Sequence, residues 1–263
     1  MRSILSALLF LAVSFATHLS AQSSTILIPT LYNGPGAFGS RWWSAVVINN
    51  HSDVAFTSPG VQFGIECSIP EGCQSSSVPQ GQFGVVAGPA AAIGLLLHGD
   101  PAVLSNLAFH GRFGQGTNYL TNGTELPLVR ETQFVQGPIH FPYVTLYETP
   151  QPVRATLRIY GPDAVPGTTV RVEVRHWDNP SGAPKASEIV ALSVPSSAGE
   201  VPLFPAFAQV SLTNDFPFDQ LLGSSFNISV VPLPLPSGDM PRIWAFISTT
   251  ENGSQQVNVQ TPQ

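Results

Sequence analysis

The sequence predicts an all-β chain, two tandem antiparallel β-sandwich domains behind a removable leader. Three observations predict it. Glycine and proline, at 23 and 25 residues, break the chain roughly every eight to twelve positions, a density that long helices do not survive. Between the breaks, apolar and polar residues alternate with the period of two that marks a half-buried strand. The pattern is also stated twice. Ile26, Ile28, Pro29 and Arg41 recur 113 positions later as Ile139, Phe141, Pro142 and Arg154. At a spacing of 111, Val46, Ile48, Val61, Phe63, Phe83 and Gly88 recur as Leu157, Ile159, Val172, Val174, Val194 and Gly199. A two-residue slip in one loop reconciles the spacings. The repeat is too long for a solenoid unit and suits a small sandwich. The expected division is a signal peptide over 1–21, a first sandwich over 22–136 and a second over 137–263.

The leader comes first. Arg2 supplies a positive start, and Ile4 to Ala16 is an uncharged, mostly apolar stretch of thirteen residues. That is shorter than the roughly 20 residues a membrane-spanning helix needs, and it has the length and position of a secretory signal peptide, with cleavage expected after Ala21. An uncleaved anchor is the alternative. No cysteine directly follows the apolar stretch, and Gln260 to Gln263 carry neither an apolar tail nor a basic run. The mature protein is therefore expected to be secreted, periplasmic or at the cell surface, with no membrane insertion once the leader is gone. Without Arg2, nine of the ten basic residues face sixteen acidic ones, a net charge near −7. Nucleic acid requires a basic footprint that this composition lacks. Charged residues make up 10% of the chain, well below the usual quarter, so neutral polar residues cover the surface and leave room for a partner-seeking face.

The strands follow in order. Ile26 to Leu31 and Ala45 to Ile48 read as strands, and Val61, Phe63, Ile65 and Cys67 alternate with Gln62, Gly64 and Glu66. Cys67 and Cys73 bracket CSIPEGC; in an oxidising compartment they are expected to form a disulfide, a local staple on one loop tip. Two thiolates without His or Cys neighbours do not fill a tetrahedral metal shell. A helical turn is conceivable at Pro89 to Ala92. The Leu95–Leu97 strand ends in a polar loop, and Asn122-Gly123 reads as a tight turn before Leu126 and Leu128. The linker, Phe134 to Pro138, is short enough that the domains should touch.

In the second copy, Ala155, Leu157 and Ile159 alternate with Thr156, Arg158 and Tyr160. Val170, Val172 and Val174 point one way, and Arg171, Glu173 and Arg175 form a solvated charged row. Ile243 to Ile247 (IWAFI) is apolar on both faces and is expected to be a central strand covered on each side. Asn252-Gly253 then turns into Val257 and Val259. The two Asn-Gly turns lie 130 residues apart, so an insertion of about nineteen residues is expected between Gln209 and Pro241, where VPLPLPSGDMP reads as an extended loop.

Reactive motifs are sparse. Gly34 to Gly39 matches the glycine-rich dinucleotide fingerprint, but that mechanism needs a helix next, and Arg41-Trp42-Trp43 leads into a strand pattern. The histidines outside the leader, His51, His98, His110, His140 and His176, show no metal-ligand spacing. His98 with Asp100 is the nearest approach to a catalytic pair, with Ser105 as the nucleophile it would need; a polar loop is the plainer reading. Glu125, Glu131, Glu148 and Asp163 are carboxylates that sequence cannot pair. No catalytic residue, cofactor or metal site is expected.

The aromatic residues are more suggestive. Trp42 and Trp43 are adjacent on a strand, so one of them is expected to leave the core. An outward indole beside Arg41 could stack on a sugar ring or anchor a partner; the alternative is that the core covers one and the neighbouring domain the other. Trp177, at the outward end of the Val170 strand, is a second candidate, while Trp244 looks like core. Asn50, Asn122, Asn227 and Asn252 begin N-x-[ST] sequons that matter only in a eukaryotic secretory pathway.

Several stretches carry a resemblance: Arg154 to Gly161 (RATLRIYG), Thr169 to Trp177 (TVRVEVRHW), Gly199 to Phe204 (GEVPLF) and Ile243 to Val259 with its Asn-Gly turn. Together they resemble modules of uncharacterised exported bacterial proteins with tandem immunoglobulin-like sandwiches. The resemblance implies an immunoglobulin-like fold outside the cytoplasm and brings no catalytic residues with it. The first copy matches less closely, and the antibody-type Cys-Trp-Cys core is absent. The leading functional expectation is a non-enzymatic interaction or structural module binding an extracellular protein or polymer. A carbohydrate-binding module with an exposed Trp platform is the alternative. A periplasmic chaperone-like protein, with Arg154 as a basic anchor between the domains, and a hydrolase stand further back.

Overall fold

Alternation decides which layer each side chain joins. The computed structural model describes residues 24–36, 39–65, 73–88, 93–115, 123–145, 153–163, 165–195, 202–215, 225–252, 254 and 257–262. The expected signal peptide, Cys67, the Pro89–Ala92 turn, Asn122 and Gly199 lie outside the described residues. The amino-terminal half contains β1 (Ser24–Leu31), β2 (Asn33–Pro35), β3 (Arg41–Asn50), β4 (Phe56–Thr57), β5 (Phe63–Ile65), β6 (Cys73–Ser75), β7 (Ser77–Val78), β8 (Phe83–Ala87) and β9 (Ile93–Gly99). A short helix α1 (Pro101–Ser105) precedes β10 (Leu107–Gln115), β11 (Thr124–Glu125) and β12 (Val129–Arg130). The carboxy-terminal half contains β13 (Ile139–Thr145), β14 (Val153–Gly161), β15 (Thr169–His176), β16 (Ala186–Ala191), β17 (Ala206–Ser211), β18 (Ser225–Pro232), β19 (Trp244–Glu251) and β20 (Val257–Gln260). The fold is all-β, and its strands pair antiparallel.

Among the described residues, four sheets carry the two cores, beside a small two-stranded sheet of β4 and β7. In the first half, β12-β1-β9 faces β11-β10-β3-β8-β5-β6. In the second, β13-β18-β15-β16 faces β17-β14-β19-β20. Ile26, Ile28, Leu95 and Leu97 meet Val46, Ile48, Phe63 and Val86 in one core. Phe141, Val172, Ile228 and Val230 meet Leu157, Ile159, Ala208 and Ile247 in the other. Among the described residues, no strand ladder joins the two halves. Their contact is face to face: Leu27, Leu96, Val129 and Phe134 pack on Tyr160, Trp244 and Phe246. The four sheets therefore stack as consecutive layers, and the two middle sheets are covered on both faces. This is why 26–29 in β1 and 243–247 at the entry to β19 read as unbroken apolar runs. In IWAFI, Ile243, Ala245 and Ile247 enter the second core, while Trp244 and Phe246 enter the contact between halves.

The two halves share four pairings. β1–β9, β3–β8, β3–β10 and β10–β11 correspond to β13–β18, β14–β17, β14–β19 and β19–β20. They differ in where a hairpin goes, since β5–β6 extends the sheet of β8 whereas β15–β16 joins the sheet of β18, and the pairings β1–β12, β2–β3 and β4–β7 have no counterpart among the described second-half strands. By pairing, the counterpart of β8 is β17, so the expected match of Phe83 to Val194 is corrected; the extra length of the second half begins before β17. The expected insertion between Gln209 and Pro241 also contains a core strand. Phe226, Ile228 and Val230 alternate in β18, and only the segment after Pro232 is the extended, turn-containing loop.

Side chains and backbone fasten the contact between halves. The Tyr160 hydroxyl, fully buried, donates to the Pro29 carbonyl. Burial raises that phenol to about 12, so it stays a donor. The Leu96 N–H donates to the Leu203 carbonyl at 2.9 Å, and Val135 and Ile243 exchange bonds of 2.9 and 2.8 Å. Arg242 reaches Glu131 at 3.1 Å and Asp163 at 2.6 Å.

Candidate functional site

The charged and aromatic candidates separate into three places. Arg41 is exposed at the start of β3. Trp42 and Trp43 are both buried, at 7% and 1% exposure, so of the two expected outcomes the covered one holds and the exposed indole beside Arg41 is corrected. The reason is tertiary. Trp42 does turn away from the inner face, but it stacks on Phe113 at 4.9 Å, and its indole N–H donates to Ser40 Oγ at 2.9 Å. Neither indole offers the free ring face that stacking on a ligand from solvent requires. The glycine-rich stretch before them runs into the strand β3, not a helix.

Trp177 is exposed, at 44%, and it has company. Tyr143, at 65%, lies 5.9 Å away between ring centroids. Tyr143 sits where β13 shifts register against β18 between Phe141 and Val144, and it adopts φ 55. A non-glycine residue in that region costs roughly 1–3 kcal/mol and persists where the surroundings impose it. Asn227 imposes it: its Oδ1 accepts from the Tyr143 N–H at 3.3 Å, and its Nδ2 donates to the Trp177 carbonyl at 3.2 Å. One amide thus holds both aromatic residues. They flank a groove of about 420 Å³, whose floor includes His140, Arg175 and Ser229. His140 Nδ1 lies 3.0 Å from Ser229 Oγ. Arg175 is fixed by Glu173 at 2.7 Å and by the Gly182 carbonyl at 3.0 Å. Glu173 also meets Arg171 at 2.7 Å. Burial alone would raise the Glu173 carboxyl, but the bonds and charges of Arg175 and Arg171 outweigh it and hold it below its ordinary value. Sequence reasoning missed Tyr143 and Asn227; the Pro142 that precedes the bulge was the available signal.

The third place is a cleft of about 330 Å³ where the two halves meet. Its floor is the outer face of the β17-β14-β19-β20 sheet, with Arg154, Thr156 and Arg158 on β14. Its roof is Thr30, Tyr32, Trp42 and Phe113 from the first half. Arg154, the expected basic anchor between domains, is therefore in the cleft.

The candidate catalytic pair serves the backbone instead. The His98 ring meets Thr25 Oγ1 at 3.1 Å and the Pro202 carbonyl at 2.8 Å. Asp100 caps α1, accepting from the Ala102 N–H at 2.7 Å, and the Ser105 hydroxyl donates to the Ala102 carbonyl at 2.9 Å. Among the described residues, no group of three or more His, Cys, Asp or Glu could hold a metal ion, and no helix is long and apolar enough to cross a membrane. Cys73 opens β6, and no free cysteine occurs among the described residues. Asn50, a candidate sequon, is buried, with its Nδ2 donating to Val54 and Val78 carbonyls at 2.8 and 2.9 Å. No family model, curated protein or solved structure matches this chain.

Proposed function

We propose that this chain is an exported, non-enzymatic binding module and that its ligand is a polysaccharide engaged at the Tyr143–Trp177 groove. The carrying observation is the pair of exposed aromatic rings held by one asparagine, with Tyr143 in a strained backbone conformation. Exposed aromatic rings stack on the apolar faces of sugar rings, while His140, Asn227 and Ser229 offer hydrogen bonds to hydroxyls. Of the two indole platforms expected from sequence, the reading now rests on Trp177 alone.

The export, the Cys67–Cys73 disulfide and the immunoglobulin-like pedigree belong to the same proposal. The leader's composition supports export, and export supports the bridge. The pairings β14–β17 and β15–β18 are those of the second with the fifth and the third with the sixth strand of an immunoglobulin sandwich. β13 and β19, however, lie on the sheets opposite to those of the first and seventh strands there.

The test is retention of the mature protein on a panel of insoluble neutral polysaccharides, including cellulose and chitin. Trp177→Ala should weaken retention on the polymer that binds by roughly 10- to 30-fold, the usual cost of truncating a central aromatic anchor. Retention on none of them, or equal retention of the variant, defeats the reading.

A further inference from the structure

We propose that the cleft between the halves is a second binding site, for a small ligand carrying a carboxylate on a ring-shaped body, with Arg158 as the carboxylate anchor. The inference rests on a charge without a counter-charge. Arg158 lies half-buried on the face of β14 that turns away from the second core, paired across to Gln209 on β17 and Phe246 on β19. Its guanidinium donates to Ser248 Oγ at 2.6 Å and lies 5.6 Å from the centre of the Phe246 ring. A guanidinium has five N–H donors. Among the described residues Arg158 makes no ion pair, and no acidic side chain lines the cleft.

Among the described residues, Arg41 and Arg130 share Arg158's lack of an acid without sharing its place: Arg41 is exposed, and Arg130 donates to the Leu104 and Leu107 carbonyls at 3.2 and 3.5 Å. Arg171, Arg175 and Arg242 each face a carboxylate. Burial lowers the pKa of Arg158, the mark of a cation held where its charge is poorly solvated. Arg154 lines the same cleft four residues earlier. Holding a cation half-buried in a cleft without an acid is costly unless something of opposite sign enters. A planar guanidinium suits a carboxylate through two parallel hydrogen bonds.

The rest of the lining describes the ligand's body. Trp42, Phe113 and Phe246 give aromatic, apolar wall, and Thr156, Gln209 and Thr250 give hydrogen-bonding groups beside it. A volume of about 330 Å³ is at the small end for ligand cavities. The chemistry is a ring with one carboxylate, which an aromatic acid or a sugar acid would both satisfy.

The experiment is calorimetric titration of the mature protein with phenylacetate in one arm and glucuronate in the other, with melting temperature as a parallel readout. At least one should bind saturably at one site and raise the melting temperature. Phenylacetate alone would assign an aromatic acid, glucuronate alone a sugar acid, and both would assign the carboxylate anchor as dominant. Arg158→Gln should weaken binding at least tenfold. Gln209→Glu is the second variant, because Gln209 is exposed and folding should tolerate the change. It places a carboxylate in register with Arg158 and should abolish binding without lowering the melting temperature. If Arg158→Gln does not fold, Gln209→Glu decides. Trp177→Ala should leave the titration unchanged, which separates this site from the polysaccharide groove. Saturable binding of neither acid, or binding unaltered in Gln209→Glu, overturns the proposal.

Discussion

The same irregularity occurs in both halves, and it is used in opposite ways. β1 shifts register against β9 between Ile28 and Leu31, across Pro29 and Thr30. β13 shifts against β18 between Phe141 and Val144, across Pro142 and Tyr143. In the first half the bulge is covered: Pro29 accepts from the Tyr160 hydroxyl, and Thr30 is buried at the edge of the cleft. In the second half the Pro142 carbonyl accepts from Gln260 Nε2 at 2.8 Å, but among the described residues no other layer packs over Tyr143, which stays 65% exposed and projects beside Trp177. A bulge re-aims a side chain and breaks the ladder. Which of these becomes useful depends on what packs next to it. Here one bulge becomes a joint between halves, and the other becomes a candidate binding surface.

The comparison can be broken most forcefully at the joint. Tyr160→Ala removes a fully buried aromatic side chain and the donor to Pro29, and should cost about 3–5 kcal/mol in denaturant unfolding. A loss under 1 kcal/mol would mean that the covered bulge holds nothing together. Gly94→Ala comes next. A Cβ there would lie 3.0 Å from both Pro205 Cγ and Tyr160 Cε1, so the halves must part or strain, at about 1–3 kcal/mol. Thermal melting of the variant reads this directly.

The exposed bulge should respond in the other direction. Tyr143→Gly replaces a side chain at φ 55 with the residue that tolerates it. Stability should hold or rise by up to about 1 kcal/mol, while polysaccharide retention falls. A clear loss of stability would show that Tyr143 is structural. The smallest effect is at Glu173, between Arg171 and Arg175 beside the groove. Its folded pKa is depressed, so its contribution is fully present above the ordinary carboxyl range. It is lost as pH falls from that range through the lowered value. Glu173→Gln should flatten this acid limb by about 1 kcal/mol or less and leave stability near neutral pH lower by the same amount. An unchanged acid limb in the variant would remove the ion pairs from the account.

Periodicity made most strands legible. Ala155, Leu157 and Ile159, and Val170, Val172 and Val174, enter the second core as their alternation requires. IWAFI announced cover on both faces because only a doubly packed strand tolerates five apolar residues in succession. β18 was obscured by the prolines after it, although Phe226, Ile228 and Val230 carried the same period. The sites were less legible. Arg154, Thr156 and Arg158 alternate with core residues just as a solvated face does, and nothing local distinguishes water from the other half of the molecule. For the same reason sequence left Trp42 open between exposed and covered: it faces outward from its own core, stacks on Phe113 and lines the cleft.

By itself, then, the sequence determined the class of fold, the strand faces and the recurrence of one pattern, because these depend on neighbours two positions apart. Only the tertiary structure decided which outward face meets solvent, which meets the other half, and where an arginine is left without an acid. Those outcomes depend on contacts between residues about a hundred positions apart, such as Tyr160 with Pro29, and a one-dimensional period carries no record of them.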